Sequence, residues 1–558
     1  MKNYLGLFLL VFSAQSFAQL NSLSIESLTS QAENAFQANQ AELAISLYSQ
    51  LGELNPDDAE IWYRLSLAHQ WNGDYAAAIQ AGTRAFEAGY RGPASMAYRL
   101  AQLSAMAGRE SAALSWLEIS LDNGFDDRSA IYSDEAFSTF RNNADFVRLS
   151  GHLENAGSID RLTGLEFDLD YLVEEAQRMH PSPERPAFSE EFLQAVDDIR
   201  EQLPEISDLQ FYLDITKLVA MLNDGHSAIY VPDNNSPLEL ALASLPLKFY
   251  WFREGMFIVD GIGENAGYAG SQVLRIGSMD IDEVMDNLSV YRGLDNAMTW
   301  RWMGPQFYLG RAELLNAIGA SESFENITLT LRDGSGNIEE VGFASANHVI
   351  PRKLRVSPAM SGNVPLYLSN IDENFWIQAL PASNALYFQF NQVRDSGQQT
   401  IADFSQQLAQ RLGNEEILNL IIDVRHNNGG NNTLVEPLIK TLIAFEQVPG
   451  RKIYVITGRN TFSAAQNFIN RIERWTDAVF IGEPSASSPN FIGEETGLLL
   501  PYSRIRGSIS PLYWQDSNPG DERQWIAPDV PVAVTAADYF AGRDAALEYI
   551  LGAIENNN

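Results

Sequence analysis

From residue 385 to residue 481 the chain alternates between short apolar runs and amphipathic stretches. Strands are expected at 385–390, 417–424, 453–457 and 478–481, with helices over 399–412, 433–445 and 463–475 between them. Such alternation predicts an α/β layer domain. One unit within it carries chemistry. A β-branched run from Ile453 to Thr457 reads as a buried strand, Gly458 to Thr461 as a turn, and Ser463 to Trp475 as a helix. A serine on the first turn of a helix faces unpaired backbone N–H groups and the positive end of the helix dipole. Those groups can stabilise an oxyanion beside the hydroxyl. The competing reading is that Ser463, or Thr461, only caps the helix, the commonest use of Ser and Thr at such a place.

A chain of 558 residues exceeds what one hydrophobic core supports, so several domains are expected. The N-terminus has Lys2, an apolar run from Tyr4 to Phe12, and Ser16-Phe17-Ala18 before Gln19. This is the pattern of a secretory signal peptide over residues 1–18, with an apolar core too short to span a bilayer. It predicts an exported protein, periplasmic or secreted, of bacterial type. Cysteine is absent, which excludes a cysteine nucleophile, thiolate metal sites, disulfides and a lipid-modified cysteine. The formal charge is −35, and removal of Lys2 makes it one unit more negative. Such a surface repels nucleic acid and anionic membranes, so neither is expected as a partner and no membrane insertion is expected.

Between 24 and 125 a unit of 34–35 residues recurs. Ala44-Ile45, Ala78-Ile79 and Ala113-Leu114 stand in phase, Gly73 and Gly108 lie 35 apart, and Asn55-Pro56-Asp57 separates two units. This resembles the tetratricopeptide repeat, whose helix pairs stack into a solenoid and usually bind peptides or partner proteins. Residues 126–160 read as a capping or linking segment, with Phe137, Phe140 and Phe146 at roughly helical spacing. Residues 161–235 are again helical, and 236–350 are β-rich, with strands at 247–252, 256–259, 272–276, 327–331 and 341–343 and a helix around 281–291. Residues 351–553 hold the α/β layer domain.

Five short motifs follow one another in the second part of the chain: Asp224-Gly225-His226; Asp423-Val424-Arg425-His426-Asn427-Asn428-Gly429-Gly430; Ser463-Ala464; Gly482-Glu483-Pro484; and Pro528-Asp529. In this order and spacing, over about residues 165–553, they resemble the serine peptidase family of the C-terminal-processing (tail-specific) proteases and the tricorn core protease. The resemblance implies a ClpP/crotonase-like α/β core, a reduced PDZ-like β domain over 236–350, and hydrolysis of peptide bonds without metal or cofactor.

The same resemblance assigns roles. One branch of the family uses a lysine after the serine, but Lys452 is the last lysine of this chain. The tricorn branch uses a histidine ahead of the PDZ-like domain, and His226 holds that place. An imidazole titrating near neutrality suits a general base for a serine hydroxyl. Ser463 is thus the expected nucleophile and His226 the expected base. The oxyanion donors are expected at the backbone of Ala464 and of Gly429 or Gly430. A glutamate near the C-terminus and a serine just before the histidine complete the tricorn-type site. Glu522 lies at about the expected distance after Ser463, where a solvated surface acid reads equally well. Gly225 precedes His226 in place of the serine, which leaves the orienting hydrogen bond unassigned, and Ser227 is not at the matching position.

His426 competes as a base because it adjoins the glycine turn. Asp423 and Arg425 read as an ion pair at the strand end, His180 as packed at a helix terminus, and Glu483 and Asn490 as shaping the pocket. No G-x-S-x-G, H-E-x-x-H or G-x-x-x-x-G-K occurs, against an α/β-hydrolase, a zincin and a P-loop enzyme. The alternatives to a peptidase are a catalytically silent ligand-binding relative and a peptide-binding scaffold that acts through its repeats.

Overall fold

The computed structural model describes residues 25–154, 156–181, 188–232, 235–238, 240, 242–349, 353–414 and 416–557. The expected signal peptide, 1–18, lies outside the described residues. The chain divides into two compact units, one ending at Ile159 and one beginning at Asp160.

The N-terminal unit is all helical. Residues 25–37 form a helix, followed by helices Ala41–Leu54, Ala59–Trp71, Tyr75–Glu87, Pro93–Met106 and Glu110–Asp122. Their starts repeat at the 34–35-residue interval seen in the sequence. The recurring alanines are what the packing needs, because Ala44, Ala78 and Ala113 are all fully buried. Gly73 and Gly108 end their helices with positive φ of 76° and 69°, a conformation that costs glycine little. Asp58 and Asp74 cap the following helices through their carboxylates. Beyond Asp122, Phe137, Phe140 and Phe146 are buried against one another and against Leu117 and Leu121 of the last long helix. The Phe-rich segment therefore closes this unit's own core.

In the second unit the expected α/β layer is a six-stranded sheet. Its order is Val530–Pro531, Val479–Gly482, Lys452–Thr457, Asn419–Asp423, Ala385–Phe390 and Phe375–Leu380. The first five strands are parallel, and only Phe375–Leu380 runs antiparallel to its neighbour. Alternate residues reach opposite faces. Leu386, Phe388, Leu420, Ile422, Ile453 and Val455 face the helices Ile401–Asn414, Glu436–Glu446 and Ala464–Trp475. Tyr387, Ile421, Tyr454, Ile456 and Ile481 face Ile550 and Ile554 of the helix Ala545–Asn557. Burial on both faces explains why these strands read as continuous apolar runs.

The β-rich segment forms an antiparallel sheet in the order Leu247–Phe252, Gly255–Gly261, Gln272–Ile276, Asn326–Arg332, Ile338–Ala344. The helix Ile281–Leu288 packs on it through Val284, Met285 and Leu288. Three helices precede it, Arg161–Met179, Glu190–Gln202 and Asp208–Ala220. A third, small sheet has Ile505–Ile509 at its centre, paired with Ala228–Pro232 on one side and Thr496–Leu499 on the other, joining the segment after His226 to the late part of the chain. No helix among the described residues is long and apolar enough to cross a membrane.

Candidate active site

Three loops leave the carboxyl ends of three adjacent parallel strands: 424–430 after Asn419–Asp423, 458–463 after Lys452–Thr457, and 483–489 after Val479–Gly482. Open α/β sheets place their ligand sites at such strand ends. Here the loops face a cleft of about 1220 Å³, whose walls include Gly225, His226, His426, Asn428, Gly429, Gly430, Phe462 and Ser463.

The turn into Ser463 is tied down on all sides. Thr461 Oγ1 donates to the Val424 carbonyl and accepts from the Gly458 N–H, and the Phe462 N–H donates to the Asn427 carbonyl at 3.1 Å. These bonds hold Ser463 at φ 57°, ψ −125°, a backbone conformation that side chains disfavour. The helix itself begins at Ala464, one residue later than expected from the sequence. Ser463 occupies the cap position, yet its side chain makes no capping hydrogen bond. Among the described residues the hydroxyl makes no capping bond at the positive end of the helix, which separates it from an ordinary N-cap.

Gly429 closes against this turn. A Cβ on Gly429 would lie 2.8 Å from Ser463 Cβ and 2.9 Å from Ala464 N, and one on Gly430 would lie 2.1 Å from the Val393 carbonyl oxygen. Their φ angles are +105° and +138°. Both positions therefore require glycine. Gly429 N–H donates to Asn427 Oδ1 at 3.0 Å. The N–H groups of Gly430 and Ala464 carry no hydrogen bond among the described residues, so these two remain for an oxyanion.

His226 is 4% exposed and reaches the cleft from the helical side. Asp224 folds its loop: Asp224 Oδ1 accepts the N–H groups of His226 (2.8 Å) and Ser227 (2.6 Å) and the hydroxyl of Ser510 (2.8 Å). Behind it, His180 Nε2 lies 3.5 Å from Asp224 Oδ2, and His180 is the residue that ends the helix Arg161–Met179. Burial pulls the Asp224 carboxyl upward, but the nearby His180 ring and the hydrogen bonds from Ser227 and Ser510 outweigh it and hold the group well below the usual carboxylate range. The His226 ring is stacked between Phe462 (4.5 Å between ring centres) and Phe491 (5.7 Å). Burial lowers its pKa to about 4, with Asp224 opposing and Arg292 reinforcing the shift. The ring is therefore neutral at physiological pH, the state a base requires. Neither ring nitrogen has a hydrogen-bond partner among the described residues, so His226 and Ser463 are not hydrogen-bonded in this conformation.

Other sequence-derived residues fall into place around this centre. Arg425 forms the expected pair with Asp423 (Nη2 to Oδ2, 2.6 Å) and a second one with Asp544, 119 residues away. His426 lines the same cleft and stacks on Tyr367, and burial lowers its pKa to about 4 as well. Glu483 pairs with Arg459, and Asn490 holds the loop at 517–521 through Asn518 and Asp521. Ser227 hydrogen-bonds Ser510, and the Tyr502 and Ser503 N–H groups are bound by Asp168. Glu522 is exposed and is not among the residues that line the cleft, unlike Ser463, His226, Gly429 and Gly430. Sequence reading passed over two further residues, Asp295 and Ser487. Gly225 N–H donates to Asp295 Oδ1 at 2.7 Å, and Ser463 N–H donates to Ser487 Oγ at 3.1 Å. Among the described residues no three His, Cys, Asp or Glu side chains gather as metal ligands would.

No protein-family model matches the sequence. No curated protein matches it either. Solved structures do. Mature CPAF, and mature CPAF complexed with lactacystin, each align with a TM-score of 0.52 at 14% identity, covering 71% of this chain and 99% of that chain. A photosystem II D1 C-terminal processing protease aligns with a TM-score of 0.34 at 14% identity, over 69% of this chain and 98% of that chain. Over 71% of its length the chain has the fold of mature CPAF.

Proposed function

We propose that the protein is a serine peptidase that cleaves peptide bonds in the cleft between Ser463 and His226. The observation that carries this reading is the state of Ser463: a hydroxyl with no capping bond, held at positive φ at a helix start. A cap would be bonded and relaxed. Ser463 Oγ attacks the scissile carbonyl, and His226 accepts the proton and returns it to the leaving amine. The oxyanion is held by the N–H groups of Ala464 and Gly430, which have no other partner among the described residues. Formation of the Ser463–His226 hydrogen bond accompanies substrate binding, since catalytic hydrogen bonds are often long in the free enzyme and tighten in the complex. In this reading the β-rich sheet is a reduced PDZ-like domain and the helix pairs of the N-terminal unit are tetratricopeptide repeats that recruit a protein substrate or partner. The protein works outside the cytoplasm after removal of residues 1–18.

The unpartnered His226 nitrogens favour one second reading, a catalytically silent relative that binds peptides in the same cleft. Hydrolysis of a short fluorogenic peptide library by the wild-type and Ser463→Ala proteins separates the two. Turnover that disappears in Ser463→Ala supports the peptidase. Binding of peptides without turnover by the wild type supports the silent relative.

A further inference from the structure

The residue ahead of His226 is Gly225, and it is held by a carboxylate that no motif points to. A Cβ on Gly225 would lie 2.9 Å from Asp295 Oδ1 and 2.9 Å from the Phe462 ring, so the space that a serine side chain would fill is taken by these two groups. Asp295 Oδ1 accepts the Gly225 N–H at 2.7 Å. Its Oδ2 is closed off from solvent and has no hydrogen-bond partner among the described residues. On the other side stands Ser487, fully buried, whose Oγ accepts the Ser463 N–H at 3.1 Å. Arg292 completes the arrangement by donating to the Gly225 carbonyl. Asp295 is thus bonded to the base loop and stands beside the serine that binds the nucleophile's backbone.

We infer that Asp295 is the positioning residue of this site, holding the His226 loop through Gly225 where that loop packs against the Phe462 ring next to Ser463. The inference rests on the peptidase reading and deepens it by supplying the orienting group that Gly225 leaves unassigned. Two features support a role beyond packing. First, the strained conformation of Ser463 persists only where its surroundings over-determine it, and the Ser487 bond to Ser463 N–H is one of those constraints. Second, burial pushes the Asp295 carboxyl up to about 7; Asp224 adds to the rise, and the Gly225 N–H, the Ser487 hydroxyl and Arg292 oppose it. The titratable and charged groups that face it are Asp224, Arg292 and, across Gly225, His226. Loss of a proton near neutrality therefore changes the charge next to both halves of the site.

The test uses the full protein in four forms: wild type, Asp295→Asn, Asp295→Ala and Ser487→Ala. Each is assayed for kcat and KM on one short fluorogenic peptide between pH 5 and pH 9, and for thermal unfolding. Asp295→Ala and Ser487→Ala are expected to lower kcat by about tenfold or more with KM within about twofold, since misplacing reacting groups costs turnover more than binding. Asp295→Asn keeps an acceptor for the Gly225 N–H and is expected to recover part of the loss, while its kcat profile lacks the inflection near pH 7 shown by the wild type. Wild-type kcat in Asp295→Ala, or the same inflection in Asp295→Asn, overturns the inference while the peptidase reading stands. A wild-type protein without turnover removes both. An Asp295→Ala protein that fails to fold leaves the decision with Asp295→Asn, which changes no more than a few atoms.

Discussion

The imidazole of His226 lies nearly parallel to the Phe462 ring, 4.5 Å between centres and 23° between planes. Phe462 immediately precedes Ser463, so the residue that positions the nucleophile turn also positions the base. The same stacking, with Phe491 on the second side, removes water from the ring and lowers its proton affinity. Two consequences follow for pH and mutation.

Because the neutral imidazole is the active form, activity rises with pH as His226 loses its proton. With a pKa of about 4, the acid limb of kcat/KM falls near pH 4, well below the limb near 6.5 of an unperturbed histidine. His226→Ala is expected to lower kcat by about 10²-fold or more. His426→Ala is expected to be much milder, although His426 lines the same cleft and is buried to a similar degree. A pH–rate profile of the wild type and kinetics of both variants check this. A dead His426→Ala beside an active His226→Ala reverses the assignment.

Ser463 stores strain for position. Ser463→Ala and Ser463→Gly are both expected to abolish turnover, and both should fold, since the hydroxyl makes no capping bond. They should differ in stability. Glycine tolerates φ 57°, ψ −125° where alanine does not, so Ser463→Gly is expected to exceed Ser463→Ala by about 1 kcal/mol. Denaturant unfolding of the two variants measures the difference. Equal stabilities would show that the turn is unstrained.

The two glycines of the turn meet different neighbours. Gly429→Ala puts a methyl group 2.8 Å from Ser463 Cβ and 2.9 Å from Ala464 N at φ +105°, and is expected to displace the nucleophile and lower kcat by about 10²-fold while costing about 1–3 kcal/mol of stability through backbone strain. Gly430→Ala puts one 2.1 Å from the Val393 carbonyl oxygen, against backbone that has no freedom to move aside. It is expected to cost about 1–3 kcal/mol of stability as well as activity. Kinetics and thermal unfolding on the same preparations test both.

The N-terminal unit should be separable from the chemistry. Phe137, Phe140 and Phe146 complete its own core, and the second compact unit begins at Asp160. A protein starting near Arg161 is therefore expected to fold and to cleave a small unstructured peptide with a kcat/KM close to that of the full chain. A soluble, folded truncation without peptide turnover would make the helical unit part of the active site.

Much of this was legible in the sequence, for identifiable reasons. Strands buried on both faces, such as Ala385–Phe390 and Lys452–Thr457, announce themselves as unbroken apolar runs bounded by turns. Ser463, His226 and the glycine pair stood out because their motifs are local. What escaped is long-range or short. The edge strand Phe375–Leu380 mixes buried and half-exposed residues and has no clear period. The strands Asn490–Gly493 and Ile505–Ile509 contain glycine and serine and are four and five residues long. Asp295 lies 70 residues from Gly225, Ser487 lies 24 from Ser463, and Asp544 lies 119 from Arg425, so no local pattern connects them. The free Ser463 hydroxyl was likewise invisible, because capping and catalysis begin from the same residue at the same place.

The central claim is that Ser463 is an activated nucleophile. Incubation of the wild-type protein with a serine-directed fluorophosphonate, followed by peptide mapping, tests it most directly. The account predicts a single adduct on the peptide that contains Ser463, slowed in His226→Ala and absent in Ser463→Ala. An unlabelled Ser463 in a folded protein, or an adduct carried by a different serine, would contradict it.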